Sequence, residues 1–166
     1  MRRQQSGFTM IELIMVIVIL GILAAVALPR FANLGSDARA AAINGALGAV
    51  KTANAVVHGL AVSRGETGAA ATITLEGKTI NLVYGYPAAS SIGILDAAGL
   101  DSDFGITGVG FISQLGYTTT TCGFTYSAAT ADANGVVTPP TIITGVDADG
   151  NASATGTAKL TASQCQ

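Results

Sequence analysis

The chain opens with a hydrophobic run that carries one charge. Phe8, Met10, Ile11 and everything from Leu13 to Leu28 are uncharged, and Glu12 alone interrupts them. As a helix, Phe8 to Leu28 is about 31 Å long at about 1.5 Å per residue, enough for the hydrocarbon core of a bilayer. Pro29 follows and should kink or loosen the helix by removing a hydrogen bond. Arg2 and Arg3 lie before the run, so the positive-inside tendency keeps the N-terminus cytoplasmic and sends the remainder outward. Ala25-Val26-Ala27 has the small-x-small form of a secretory cleavage site. Against cleavage there, a helical pattern continues from Phe31.

Past Pro29 the polar and apolar positions sort onto a wheel of about 100° per residue. Phe31, Leu34, Ala38, Ala42, Gly45 and Ala49 share one face, and Ile43, Leu47, Val50 and Val57 another. Arg30, Asn33, Asp37, Asn44 and Lys51 fill the remaining strip. A surface helix needs one apolar face, so two faces imply two burials. The larger side chains should pack on the chain's own head, and the Ala/Gly face on neighbouring helices, where small residues allow close approach.

The pattern then changes to period two. Ala71–Leu82 (ATITLEGKTINL) is two alternating runs around Glu76-Gly77, a hairpin signal. Ser90–Gly99 has a serine to cap a short helix and a glycine to stop it. Phe124–Ala128, Thr141–Val146 and Ala158–Ala162 are further strand candidates, separated by the turn signals Asp132–Gly135 and Pro139-Pro140. Tyr84-Gly85-Tyr86-Pro87 reads as a strand end entering a turn, with two aromatics over the sheet edge. The layout is α+β: a long N-terminal α-helix packed on an antiparallel β-sheet head.

Composition narrows the possible partners. Aromatics are 5% of the residues and charged residues 11%, with small residues dominant. From Phe8 to Arg64 four bases face two acids; from Gly65 onward two lysines face eight acids. An acidic head lacks the basic patch that DNA binding requires, so no nucleic-acid partner is expected. Cys122 and Cys165 form an even pair, and in an exported chain that favours a disulfide, stabilising by about 4 kcal/mol, over two reduced thiols.

Glu12 remains to be explained. One turn into the helix it lies near the membrane interface, where a charge costs little and the helix N-terminus helps. Inside a dry bundle it would need a cation, so Glu12 marks a helix that leaves lipid for a protein core and meets a positive partner there. The bland alternative is a tolerated interfacial charge.

Gly7-Phe8-Thr9-Met10-Ile11-Glu12 after a short basic leader resembles the class III signal of type IV prepilins and pseudopilins. The resemblance implies that a prepilin peptidase cuts after Gly7 and that Phe8 becomes the N-methylated terminus. It implies that Glu12 pairs with the N-terminal amine of a neighbouring subunit, and that Gly21 and Pro29 are helix-weakening positions. The implied organisation is a leader (1–7), a transmembrane and filament-core helix (8–61), and a β-rich head with a C-terminal disulfide loop (62–166). The implied function is a structural subunit of a type IV pilus for surface attachment, a homopolymer and no enzyme. It would be handled by the inner-membrane assembly machinery, residing in the inner membrane before moving to the cell exterior. A type II secretion pseudopilin, a minor pilin and a membrane-anchored binding protein that never polymerises are the alternatives. Tyr84–Ser90, Gly93-Ile94, Pro29–Leu34 and Asp37–Arg39, with the cysteine pair, are similar to the mannose-sensitive haemagglutinin type pilins of aquatic gammaproteobacteria.

The other candidate chemistry stays weak. His58 is the only histidine and has no cluster of ligands beside it, so it reads as a helix-end surface residue. Asp147-Ala148-Asp149-Gly150-Asn151 resembles the start of a calcium loop but lacks the closing glutamate, so a hairpin turn is the better reading. Asn151-Ala152-Ser153 fits a glycosylation pattern by accident, and Thr118–Thr121 reads as a solvated strand edge. No nucleophile with a base, no phosphate loop and no metal set occurs, so neither cofactor nor metal is expected.

Overall fold

The computed structural model describes residues 7–31, 34–108, 110–116, 121–144 and 159–166. Residues 1–6, Ala32, Asn33, Thr118–Thr120 and the segment holding Asp147–Asn151, Ser153 and Ala158 lie outside the described residues. The chain divides into two units, Met1–Gly35 and Ser36–Gln166. Helix α1 (Met10–Phe31) belongs to the first, and α2 (Leu34–Arg64) runs through the second. Two antiparallel sheets and a small two-stranded ribbon follow α2, an α+β fold.

The first sheet is β1 (Ala71–Leu75), β2 (Lys78–Val83) and β3 (Tyr86–Pro87) in sequential order. Ile73 faces Ile80 across the β1–β2 pair, and both side chains are buried. Each connection is a two-residue turn with both residues left-handed: Glu76 (φ 49°) and Gly77 (φ 83°), then Tyr84 (φ 51°) and Gly85 (φ 78°). Such turns match the right-handed twist of the strands, which is why the hairpin signal at Glu76-Gly77 is legible. Gly85 must also be small, because an added Cβ would sit 3.2 Å from the Thr67 methyl and 3.6 Å from His58 Nδ1.

After β3 comes a one-turn π-helix (Ser91–Leu95) continuing into α3 (Asp96–Ala98). The glycine stop is present, with Gly99 left-handed at φ 66°. The serine cap is not: Ser90 is extended and makes no capping bond, and its buried Oγ has no partner among the described residues. The Ala88 carbonyl takes that role, accepting from Ser90 N at 2.9 Å and Ile94 N at 3.0 Å. Lys78 fastens this segment to the β1–β2 turn, with Nζ 2.9 Å from Asp96 and 2.8 Å from Asp101. The shared hydrogen bond raises the Lys78 amine and lowers the Asp101 carboxyl.

The second sheet has the order β4 (Phe104–Ile106), β5 (Phe111–Gln114), β6 (Gly123–Tyr126) and β9 (Ile142–Thr144). The expected strand Phe124–Ala128 thus ends at Tyr126, and Thr141–Val146 is a strand over Ile142–Thr144, its last two residues lying outside the described ones. Between β6 and β9, β7 (Thr130–Ala131) and β8 (Val137–Thr138) form the ribbon. Its turn is built by Asp132, whose Oδ1 accepts from Asn134 N and Val136 N. The third expected strand, Ala158–Ala162, is absent over its described part. Leu160 gives both backbone groups to the Asn44 side chain, at 2.9 and 3.0 Å, and Ala162–Cys165 winds into a 3₁₀ turn. A backbone committed to a helix side chain has nothing left for a sheet partner.

Helix α2 supplies one wall of both cores. Ile43, Leu47 and Val50 meet Ile94, Leu95, Phe104, Ile112, Phe124 and Leu160, while Val57 and Ala61 meet Ile73, Ile80 and Leu82. Each fully buried aliphatic side chain contributes about 1.5–3 kcal/mol. The larger face thus packs on the chain's own head, whereas Ala38, Ala42 and Gly45 stay exposed. Cys122 and Cys165 are joined by a disulfide with Cα atoms 4.6 Å apart, inside the larger core.

Tyr126 fastens helix to sheet. Its buried hydroxyl donates to Pro87 O at 2.8 Å and lies 3.0 Å from the Asn54 amide oxygen. One hydroxyl proton cannot serve both, so the amide turned to present Nδ2 completes the trio. Burial raises the phenol's pKa above its ordinary value. Tyr126→Phe is expected to lower stability by about 1–3 kcal/mol, because the buried Pro87 carbonyl loses its donor; chemical denaturation measures it.

His58 is not a bare helix-end residue. Its ring stacks on Tyr86 at 3.8 Å and 3°, and Nδ1 lies 3.0 Å from Gly85 O. A carbonyl only accepts, so Nδ1 carries the proton and the histidine ties α2 to the β2–β3 turn.

Candidate functional site

The candidate site is the start of α1. Gly7, Phe8 and Thr9 precede the helix, and Met10 is its first residue. Phe8 is 96% exposed, and the stretch Met10–Leu28, long and apolar enough to cross a bilayer, has no residue buried within the chain. An uncovered apolar cylinder of this length needs lipid or other protein around it. Gly21 lies in mid-helix, where an added Cβ would meet nothing within 4 Å. No contact among the described residues thus requires glycine, which weakens a helix by about 1 kcal/mol relative to alanine. Pro29 falls in the last described turn of α1.

Glu12 has a local partner that the sequence reading overlooked. Thr9 is the residue before the helix, and Glu12 is its third residue. The Thr9 backbone N–H donates to Glu12 Oε2 at 2.9 Å, and the Thr9 hydroxyl donates to the same oxygen at 2.9 Å. In return the Glu12 N–H lies 3.3 Å from Thr9 Oγ1. This is a capping box, in which side chain and backbone satisfy each other's open donors at the helix start. Its signature, threonine followed three residues later by glutamate before an apolar run, was present in the sequence. Both bonds fall on Oε2, and Oε1 has no partner among the described residues.

The structure therefore brings Phe8, Thr9 and Glu12 together at one end of α1. Gly21 and Pro29 lie further along that helix, and the Cys122–Cys165 bridge belongs to the other unit. Among the described residues no three His, Cys, Asp or Glu side chains converge as a metal site would require.

Residues 2–28 match the family model described as the prokaryotic N-terminal methylation motif. Three relatives are similar to part of the chain. The type IV narrow pilus major component of Thermus thermophilus is 50% identical over 51 residues, 31% of this chain and 44% of that protein. The type IV major alpha-pilin of Moraxella bovis is 51% identical over 49 residues, 30% of this chain and 31% of that protein. The type II secretion system core protein G of Pseudomonas aeruginosa is 46% identical over 52 residues, 31% of this chain and 37% of that protein. The chain thus spans less than half the length of the curated relatives it matches. No solved structure matches it. Over about a third of its length the chain is thus similar to two type IV pilins and to a type II secretion core protein, and residues 2–28 carry the N-terminal methylation motif.

Proposed function

We propose that the chain is a structural subunit of a type IV pilus, a non-enzymatic protein that polymerises through its N-terminal helix into a filament for surface attachment. The observation that carries this reading is the Met10–Leu28 stretch of α1: apolar except for Glu12, unburied by any described residue, and carrying near its start a carboxylate with one oxygen unengaged among the described residues. The chain starts as an inner-membrane prepilin. A prepilin peptidase removes residues 1–7 after Gly7, and the Phe8 amine is exposed and methylated. The inner-membrane assembly machinery lifts the helix from lipid, and Glu12 Oε1 receives the amine of the preceding subunit. The exposed small face of α2, with Ala38, Ala42 and Gly45, then lets neighbouring helices approach closely. The acidic head faces water on the extracellular filament.

The secretion-pseudopilin reading is supported by the core protein G match, 46% identical over 52 residues. The Cys122–Cys165 bridge favours the pilin, since the pseudopilins that the sequence resembles commonly lack one. Within the pilins, the Tyr84–Ser90 block supports a mannose-sensitive haemagglutinin type major subunit. In sheared surface filaments, intact mass and N-terminal sequencing should find this chain beginning at a methylated Phe8. A chain that keeps Met1–Gly7 at the cell surface would instead be a membrane-anchored protein that does not polymerise.

A further inference from the structure

We propose that Arg39 and Asn44 of α2 are positioning residues for the oxidation of Cys122 and Cys165, holding the C-terminal segment in place before the bridge exists. The two cysteines are 43 residues apart in the chain, so an unguided reduced chain must find one long closure among many. The contacts around residues 160–166 remove that search. Asn44 takes both backbone groups of Leu160, accepting from its N–H at 3.0 Å and donating to its carbonyl at 2.9 Å. Arg39 donates from Nε and Nη2 to the carbonyl of Cys165 itself, at 3.1 and 2.9 Å. From the other side Thr121, next to Cys122, donates its hydroxyl to Gln164 O at 2.8 Å.

The segment is also shaped from within. The Thr161 N–H donates to Gln164 Oε1 at 2.9 Å, and the Gln164 N–H returns to Thr161 O at 3.1 Å. Leu160 is buried in the same core as Ile43 and Leu47. No one of these bonds uses a sulfur atom, so all of them are available to the reduced chain. The helix acts as a template that turns a remote closure into a local one.

The chemistry separates the role from general stability. A small-molecule disulfide such as oxidised glutathione serves as oxidant. One cysteine thiolate attacks it, forming a mixed disulfide and releasing one glutathione thiolate. The second cysteine thiolate then attacks the protein sulfur of that mixed disulfide and expels the second glutathione. Two protein thiols lose two protons and two electrons, and the oxidant becomes two thiols. Only the second step needs Cys122 and Cys165 side by side.

The test uses the full chain, reduced, in detergent micelles with oxidised glutathione. Acid quenching, alkylation and mass analysis follow the mixed and the internal disulfide separately. Asn44→Ala and Arg39→Ala should slow ring closure by at least about tenfold, with mixed disulfide accumulating, while capture of glutathione changes less than about twofold. Arg39→Lys, which keeps the charge and loses the fork, should fall between wild type and Arg39→Ala. Amide exchange in the β1–β2 hairpin should be unchanged in the reduced variants, while that of Leu160 rises. Ring closure within about twofold of wild type in both alanine variants would overturn the proposal. Loss of hairpin protection in step with slowed closure would overturn it too, since the residues would then act on the fold as a whole.

Discussion

Glu12→Gln should leave the single chain intact and remove its ability to polymerise. Glutamine keeps a carbonyl oxygen for the Thr9 N–H, so the helix start remains capped. The charge alone is lost. If a neighbouring subunit's amine pairs with Glu12 in a water-poor filament core, that amine is left buried without a counter-charge. Stranding one member of such a pair costs about 2–5 kcal/mol per contact. Each 1.4 kcal/mol is tenfold in affinity, so the concentration needed for assembly should rise by at least about thirtyfold. Sheared-filament yield against total processed subunit measures this. Thr9→Val is the complementary variant: it abolishes the hydroxyl's bond and keeps the carboxylate, so filament yield should stay within about threefold of wild type. If Thr9→Val lost filaments while Glu12→Gln kept them, the capping role rather than the charge would be what assembly requires.

Gly110→Ala should be strongly destabilising for the head. Gly110 is left-handed at φ +82°, and an added Cβ would lie 2.2 Å from the carbonyl oxygen of Tyr126 and 3.2 Å from its carbon. The obstacle is the backbone of β6, which is held to Gly110 by the 2.8 Å bond from Tyr126 N to Gly110 O. Relieving the clash would also move the ring that joins Asn54 and Pro87. Left-handed strain and overpacking together give a loss of about 3–5 kcal/mol. Gly135→Ala is the control. Its φ of +79° is nearly the same, but nothing lies within 4 Å of the added methyl, so about 1 kcal/mol is expected. Thermal unfolding of the two variants, compared with wild type, measures the difference that space alone makes.

Those two positions also mark what the sequence could and could not reveal. The hairpin around Glu76-Gly77 was legible because both the alternation and the turn chemistry are local. The larger face of α2 was legible because helical period and side-chain size coincide at Ile43, Leu47, Val50 and Val57. Ser90 misled because its neighbours decide the cap: the Ala88 carbonyl is already in place for Ser90 N and Ile94 N. The run at Ala158–Ala162 misled because a partner 116 residues away, Asn44, uses up the backbone that a strand would need. His58 and Tyr126 owe their roles to rings and carbonyls that only folding brings close. At the candidate site, the charge of Glu12 in an apolar run points to a distant cation, while its bond to Thr9 follows from a three-residue spacing visible in the sequence. An unusual charge in an apolar run draws attention to what is far away, when the nearest hydroxyl is three residues back.

The sharing of α2 by two separate cores bears on how the head responds to pulling. Ala40 to Ala53 serve one cluster, while Val57 and Ala61 serve the other. Tension that enters the head through this helix meets both clusters side by side, so neither can yield alone. To slide the helix axially, side chains in both must leave their seats together, and the Tyr126 hydroxyl and the His58 ring must part from theirs as well. A rod gripped in two places resists shear better than a strand peeled from one end, as the proposed filament subunit would require.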